Sequence, residues 1–187
     1  MCDLKELPRN TIDRLTINSN DFSKPVVIKK QKPGWEKEFL DEREAYKKLQ
    51  ELQGTRIPRY LGQDHFGGEP ALYLSMIEGI NLYELACNKE VNINEDMLEN
   101  ELHNAIDALS KHGAEIGDLR LDNFMFCNGM IMVIDFEDVE FHEGYDKNKL
   151  NQGAVSNLLS QFRDARFPGR SPSPVKFWLK DGLLSAI

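Results

Sequence analysis

Cysteine is scarce in this chain of 187 residues, with only Cys2, Cys87 and Cys127. The number is odd, the positions are widely spread, and no pair has a metal-ligand spacing, so no disulfide framework is expected. No apolar run approaches the ~20 residues of a membrane-spanning helix. The first residues, Met1–Asn10, are charged and lack the apolar segment of a signal peptide. These absences point to a reduced, intracellular, cytoplasmic protein with no membrane partner. The four histidines, His65, His103, His112 and His142, show no His-Glu-x-x-His spacing, which argues against metal ligation by imidazole. Basic residues are outnumbered, 23 against 31 acidic ones, for a net charge of −8. A surface of that sign repels a phosphate backbone and argues against broad nucleic-acid binding. It leaves room for a local basic pocket that holds one nucleotide. No internal repeat occurs, and 167–174 (FPGRSPSP) is the one stretch that reads as an exposed linker.

What remains is an ordinary globular composition, 41% hydrophobic and 29% charged. The length suffices for a core shared by one domain or two small lobes. Short β-branched runs at Arg14–Ile17 and Val26–Lys30 predict strands, separated by a polar turn region at Asn18–Lys24. Pro33 and Gly34 break the chain. Trp35 to about Gln53 then carries helical periodicity and closes at Gly54, with Trp35 as a packing anchor at the start. Ile57–Leu61 and Ala71–Met76 predict further strands around a Gly67-Gly68 turn, and Gly79 marks a hinge. A long helix is predicted from Asn94, its cap, to His112, where the helix dipole favours a cation. Its apolar stripe is Leu98, Leu102, Ala105, Ile106 and Leu109, and Gly113 ends it. The chain as a whole reads as α+β in two unequal lobes, 1–79 and 80–187, with an apolar tail at Phe177–Ile187 carrying Trp178 that docks on the second.

Phe124–Cys127 and Met130–Ile134 are apolar runs joined by Asn128-Gly129, a strong two-residue hairpin signal. A turn of two residues sets Cys127 against Met130. Counting outward brings Asn123 opposite Ile134, and Asp135 one step beyond, across from Asp122. Asp118 lies in the loop that feeds the hairpin. Oxygen donors converging on one loop edge suit a hard cation such as Mg²⁺; single Asp and Asn residues at strand ends are as often turn formers. Cys127 and the Met and Phe residues of 124–132 read as core.

The segment Ile116-Gly117-Asp118-Leu119-Arg120-Leu121-Asp122-Asn123 resembles the catalytic loop of the protein-kinase-like superfamily, an Asp followed by a basic residue and then an Asn. Ile134-Asp135-Phe136-Glu137 resembles that family's metal-binding Asp-Phe-Gly segment. Val26-Val27-Ile28-Lys29 resembles its Val-Ala-Ile-Lys strand. The helix after that strand, with Glu42-Arg43-Glu44-Ala45-Tyr46-Lys47-Lys48-Leu49, and the following Ile57-Pro58-Arg59-Tyr60-Leu61-Gly62 are similar to a group of small fungal kinase-like proteins. The resemblance spans about Val26 to Val139.

It implies a role for each matching residue. Asp118 would orient an acceptor hydroxyl and take its proton, and Arg120 would neutralise the transferring phosphoryl group. Asn123 and Asp135 would hold Mg²⁺ against the phosphates of ATP. Lys29 would contact those phosphates and pair with Glu42. The helix supports that pairing by itself: Glu42, Ala45, Tyr46 and Leu49 share one face, and a carboxylate on a packed face wants a cation. Glu38 and Glu44 are rivals for the role, and Lys30 is the rival of Lys29 on the opposite strand face.

The departures from the family are as informative. No glycine precedes Gly34, so a Gly-rich phosphate loop is missing or replaced. Ile116 and Gly117 stand where the family has His and Arg. Glu137 replaces the last Gly of the metal-binding segment; it and Asp138 read as solvent-facing. No Ala-Pro-Glu segment follows, and roughly fifty residues are left after Val139 for the rest of the large lobe. Two functions follow. One is an ATP- and Mg²⁺-dependent phosphotransferase acting on a hydroxyl of a protein or small molecule. The other is a pseudokinase or binding module without phosphotransfer.

Overall fold

The computed structural model of the chain describes residues 12–15, 25–144, 146 and 149–168. The expected turn region at 18–24 and the apolar tail with Trp178 lie outside these residues, as does most of the 167–174 linker. The described part is a mixed α+β structure of small antiparallel sheets and four helices. No described helix is long and apolar enough to cross a membrane.

The first sheet has the order β1-β2-β4-β3, from Ile12–Leu15, Val26–Lys30, Glu69–Ser75 and Tyr60–Phe66. β1 pairs Ile12 with Lys29, two residues upstream of the expected strand start; Thr16 and Ile17 lie outside the described residues. β2 is an interior strand, with Lys29 opposite Leu72 of β4. β3 begins three residues later than the sequence predicts, because Pro58 has no N–H to give a ladder and Arg59 instead bonds Ser75 through its amide at 2.9 Å.

Helix α1, Glu36–Lys48, is also shorter than predicted. The chain tightens into a 3₁₀ turn at Gln50–Leu52. Gln53 explains the early stop. Its side-chain amide donates to the Tyr46 carbonyl at 2.8 Å and accepts from the Tyr60 amide at 3.0 Å, which satisfies a helix-end carbonyl and ties α1 to β3. Trp35 is no core anchor: it is 46% exposed, with the Lys32 ammonium 4.8 Å from its ring centroid.

The rest of the chain is built on α3, Glu95–Lys111. Asn94 caps it by accepting from the Met97 amide at 3.1 Å, and all five residues of the predicted stripe are buried. The hairpin β7–β8, Phe124–Cys127 and Met130–Val133, has the predicted register, Cys127 against Met130. Asn128 and Gly129 both have positive φ, 50° and 79°, as a two-residue turn of this kind requires. Met130 is exposed at the turn, while Phe124, Ile131 and Val133 are core. β5, Ile80–Asn81, pairs with β7. Gly79 before it passes so close to the Phe126 carbonyl that a Cβ would lie 2.6 Å away; close approach, more than hinge freedom, requires the glycine.

Besides β5, four further elements have no counterpart among the predicted strands and helices. They are helix α2, Leu82–Cys87, the two-stranded sheet β6–β9, Ala114–Ile116 with Val139–Phe141, and helix α4, Ala154–Arg166. A central hydrophobic cluster runs from Tyr46 and Leu49 of α1 through Leu98 and Leu102 of α3 and Phe124 to Phe162 of α4, while Val26 and Ile28 of β2 and Ala71 and Leu72 of β4 are buried outside it. Arg56 strengthens the junction, pairing with Glu101 of α3 at 2.8 Å and accepting the Val133 amide on its carbonyl at 2.8 Å.

Candidate functional site

Lys29 projects from the interior strand β2 into a buried ionic cluster. Its Nζ lies 2.7 Å from Glu42, 2.8 Å from Asp135 and 3.1 Å from Glu137. Lys29 is 7% exposed and Glu42 is 1% exposed, so their pairing takes place away from water. The rivals are elsewhere: Lys30 pairs with Glu69, and Glu44 sits on the outer face of α1 with Arg43 and Lys47.

Asp135 reaches Lys29 because the backbone turns sharply where the hairpin ends. The Ile134 amide bonds the Asn123 carbonyl at 2.9 Å, as the register predicts, but the pairing stops there. Asp135 adopts a left-handed conformation, φ 66°, which Asp tolerates better than most residues. The chain therefore swings away from Asp122 instead of opposing it, and the Asp135 carboxylate meets Lys29. The next residue, Phe136, is buried against Tyr46 with ring centroids 5.3 Å apart in an edge-on arrangement, and its amide donates to Glu42 at 3.3 Å.

Glu137 is not the solvent-facing residue that the sequence suggests. Its carboxylate bridges Lys29 and Lys32, the latter at 2.9 and 3.0 Å. The cluster thus holds three carboxylates, from Glu42, Asp135 and Glu137, within 4.8 Å of one another, and two ammonium groups.

The electrostatics follow from burial set against these contacts. Burial pulls the Lys29 ammonium toward its neutral form, but Glu42, Asp135 and Glu137 outweigh it and hold its pKa above the ordinary lysine range. Burial pushes Asp135 up; Lys29, by charge and hydrogen bond, more than reverses this, and its pKa ends below the ordinary aspartate value. For Glu42 burial wins over Lys29, and its pKa is raised.

The sign for Asp135 is that of a depressed acid. Its stabilising contribution is present above the unfolded aspartate pKa of about 3.9 and is lost as pH falls through the lower folded value. Asp135→Asn removes that contribution. The stability gap between the parent and this variant should therefore narrow as the pH is lowered over roughly pH 5 to 2, followed by urea denaturation. A gap that stays constant would mean that Asp135 does not titrate with folding.

The second group of expected site residues lies on the loop between β6 and β7. Asn151, which the sequence reading passed over, fixes where that loop starts. Its side chain accepts the Ile116 amide at 2.8 Å and donates to Ser110 at 2.8 Å and to the Ala114 carbonyl at 2.9 Å. Gln161 of α4 donates to the Leu119 carbonyl at 2.8 Å. Gly117 bonds the Asp138 carbonyl through its amide at 2.9 Å, and the Asp138 carboxylate occupies the space that a Cβ at 117 would need. A side chain at 117 would have to displace that carboxylate. Sequence periodicity carries no trace of these clamps, since each rests on a single residue and not on a repeating pattern.

Within the loop, Arg120 pairs with Asp118 at 3.0 Å and lies 3.6 Å from Asp122. Asn123 is 3% exposed and donates its amide to the Asp118 carbonyl at 3.3 Å, which turns its Oδ1 the other way. A cavity of about 460 Å³ opens beside the loop, lined by Tyr83, Arg120, Leu121, Asp122 and Gln161 among others.

The structure thus brings Lys29, Glu42 and Asp135 into direct contact and links Asp118, Arg120 and Asn123 in a neighbouring loop. The two groups join through the Asn123–Ile134 backbone bond, one residue from Asp135. The hydroxyl of Tyr46, fully buried beside the cluster, meets no hydrogen-bond partner among the described residues. Sequence comparisons add no identity to this geometry: no protein-family model matches the chain, and no curated protein matches it.

Proposed function

We propose that this chain is a reduced protein-kinase-like phosphotransferase that uses ATP and Mg²⁺ to phosphorylate a hydroxyl of a protein or small molecule. One observation carries the reading. A buried lysine from an interior strand touches both a helix carboxylate and an aspartate 106 positions away in the chain, at 2.7 and 2.8 Å. Burying such a trio carries a desolvation cost that a packed apolar core would avoid, which argues that it is kept for function or specificity, and it joins three of the segments that carry the family resemblance. On this reading residues 1–79, with the first sheet and α1, form the small lobe, and 80–187 the reduced large lobe.

The residues fit the implied group. Both hydrogen bonds to the Asp135 carboxylate end on Oδ1, so Oδ2 is available, and Asn123 presents an oxygen whose amide partner is already engaged. These two would hold the metal, consistent with the preference of Mg²⁺ for a few oxygen ligands. When bound, magnesium–ATP supplies the transferable phosphoryl group and screens its charge. Lys29, aligned by Glu42, would bind phosphate oxygens. Asp118 would accept the proton of an acceptor hydroxyl, and the cavity beside Arg120 would seat the acceptor.

A second reading, a pseudokinase or binding module, is favoured by one feature: Lys29 is already met by three carboxylates. Thermal unfolding with ATP, with and without Mg²⁺, separates the two. Binding predicts a stabilisation of about 2.7 kcal/mol at a hundredfold excess over Kd, diminished in Asp135→Asn. No shift in either protein would leave the binding module. If ATP binds, Asp118→Ala should slow γ-phosphate release about 100- to 10,000-fold; release unchanged by that substitution would remove Asp118 from the chemistry.

A further inference from the structure

We infer that the Lys29 and Lys32 ammonium groups form an oxyanion subsite of phosphate type, which the Glu137 carboxylate fills as an internal competitor. Lys32 lies two residues beyond the end of β2 and three past Lys29, at a position that none of the family-like motifs includes. Its Nζ reaches both oxygens of Glu137, at 3.0 and 2.9 Å, while Lys29 lies 3.1 Å from Oε1. A single carboxylate therefore spans two ammonium groups, and a phosphoryl group presents the same pair of acceptor oxygens to charged donors.

Glu137 differs from the other two carboxylates in how it is held. Glu42 is enclosed by the core, and Asp135 is fixed by its turn and by the Glu137 amide on its Oδ1; the Glu137 carboxylate, as partly exposed as that of Asp135, meets only the two lysines among the described residues. Lys32 also has a second attachment, the face of Trp35 at 4.8 Å, which keeps its charge at the cleft when Glu137 leaves. Finally, three carboxylates outnumber two ammonium groups in the cluster, so an incoming anion meets net negative charge until Glu137 is neutralised or displaced. Lys32 would then supply part of the phosphate contact that a glycine-rich loop would otherwise give. That part of the inference rests on the kinase-like reading; the subsite itself does not.

The test is titration of inorganic pyrophosphate in metal-free buffer, monitored by calorimetry. Glu137→Gln should bind at least about tenfold more tightly than the parent, the scale expected for freeing charged donors from a competing partner. Adding Lys32→Met to that variant should abolish most of the gain. Glu137→Ala serves as the second variant if the glutamine does not fold. No gain on neutralising Glu137, or a gain that survives Lys32→Met, overturns the inference. Magnesium–ATP binding by the parent is measured alongside. A parent that binds it, with no gain in Glu137→Gln, leaves the phosphotransferase reading standing and removes the subsite. A Lys32-dependent gain in a parent blind to magnesium–ATP does the reverse.

Discussion

Lys29→Met should cost the protein about 3–5 kcal/mol, because it strands a buried carboxylate without its cation. Glu42 is 1% exposed and lies 2.7 Å from the ammonium that the substitution removes. Asp135 and Glu137 lose the same partner. Most of the loss comes from these orphaned charges, not from the intrinsic strength of the pair, so a double variant tests the cause. Glu42→Gln in the Lys29→Met background should recover part of the stability, with the two effects clearly less than additive. The defect should also shrink as the pH falls toward the unfolded glutamate pKa of about 4.3. Burial already raises the pKa of Glu42, and an acid with a raised folded pKa gains stability by taking up a proton below that value. Urea denaturation at several pH values measures all three. A loss under about 1 kcal/mol for Lys29→Met would show that water reaches the cluster freely.

That cluster was partly legible in the sequence. Glu42 could be placed because it shares a helical face with Ala45, Tyr46 and Leu49, and all four are buried. The hairpin could be placed because Asn-Gly admits the two positive φ angles, and the turn length then dictates which residues face each other. The α3 stripe was legible because seventeen residues are enough to show a period. Helix α4 was readable and missed, since Ala154, Val155, Leu158, Leu159 and Phe162 repeat with helical period; most of the rest that escaped is short or rests on single residues. β6 and β9 are three residues each, too short for any alternation to register. Asn151 and Gln53 act through single side-chain amides, and no periodicity marks them. Glu137 looked solvated because its partners are 105 and 108 positions away and depend on the left-handed turn at Asp135. Local pattern reaches across one element; these contacts join one element to another.

Phe136→Ala should be nearly as damaging, again about 3–5 kcal/mol, although its ring carries no charge. The side chain is fully buried in the central cluster, edge-on to Tyr46 at 5.3 Å. An aromatic pair of this kind adds about 0.5–1.5 kcal/mol beyond the area it buries. The ring also holds the backbone between Asp135 and Glu137, and its own amide bonds Glu42 at 3.3 Å. Loss of the ring therefore loosens both carboxylates that flank it in sequence. Phe136→Leu keeps most of the volume and should cost only about 1–2 kcal/mol. Hydrogen exchange adds a local readout. The amide at 136 should lose more protection in the alanine variant than its global destabilisation explains, since the turn would open without unfolding of α3. Equal loss of protection at 136 and along α3 would mean that Phe136 supports the core in general and has no special hold on the ionic cluster.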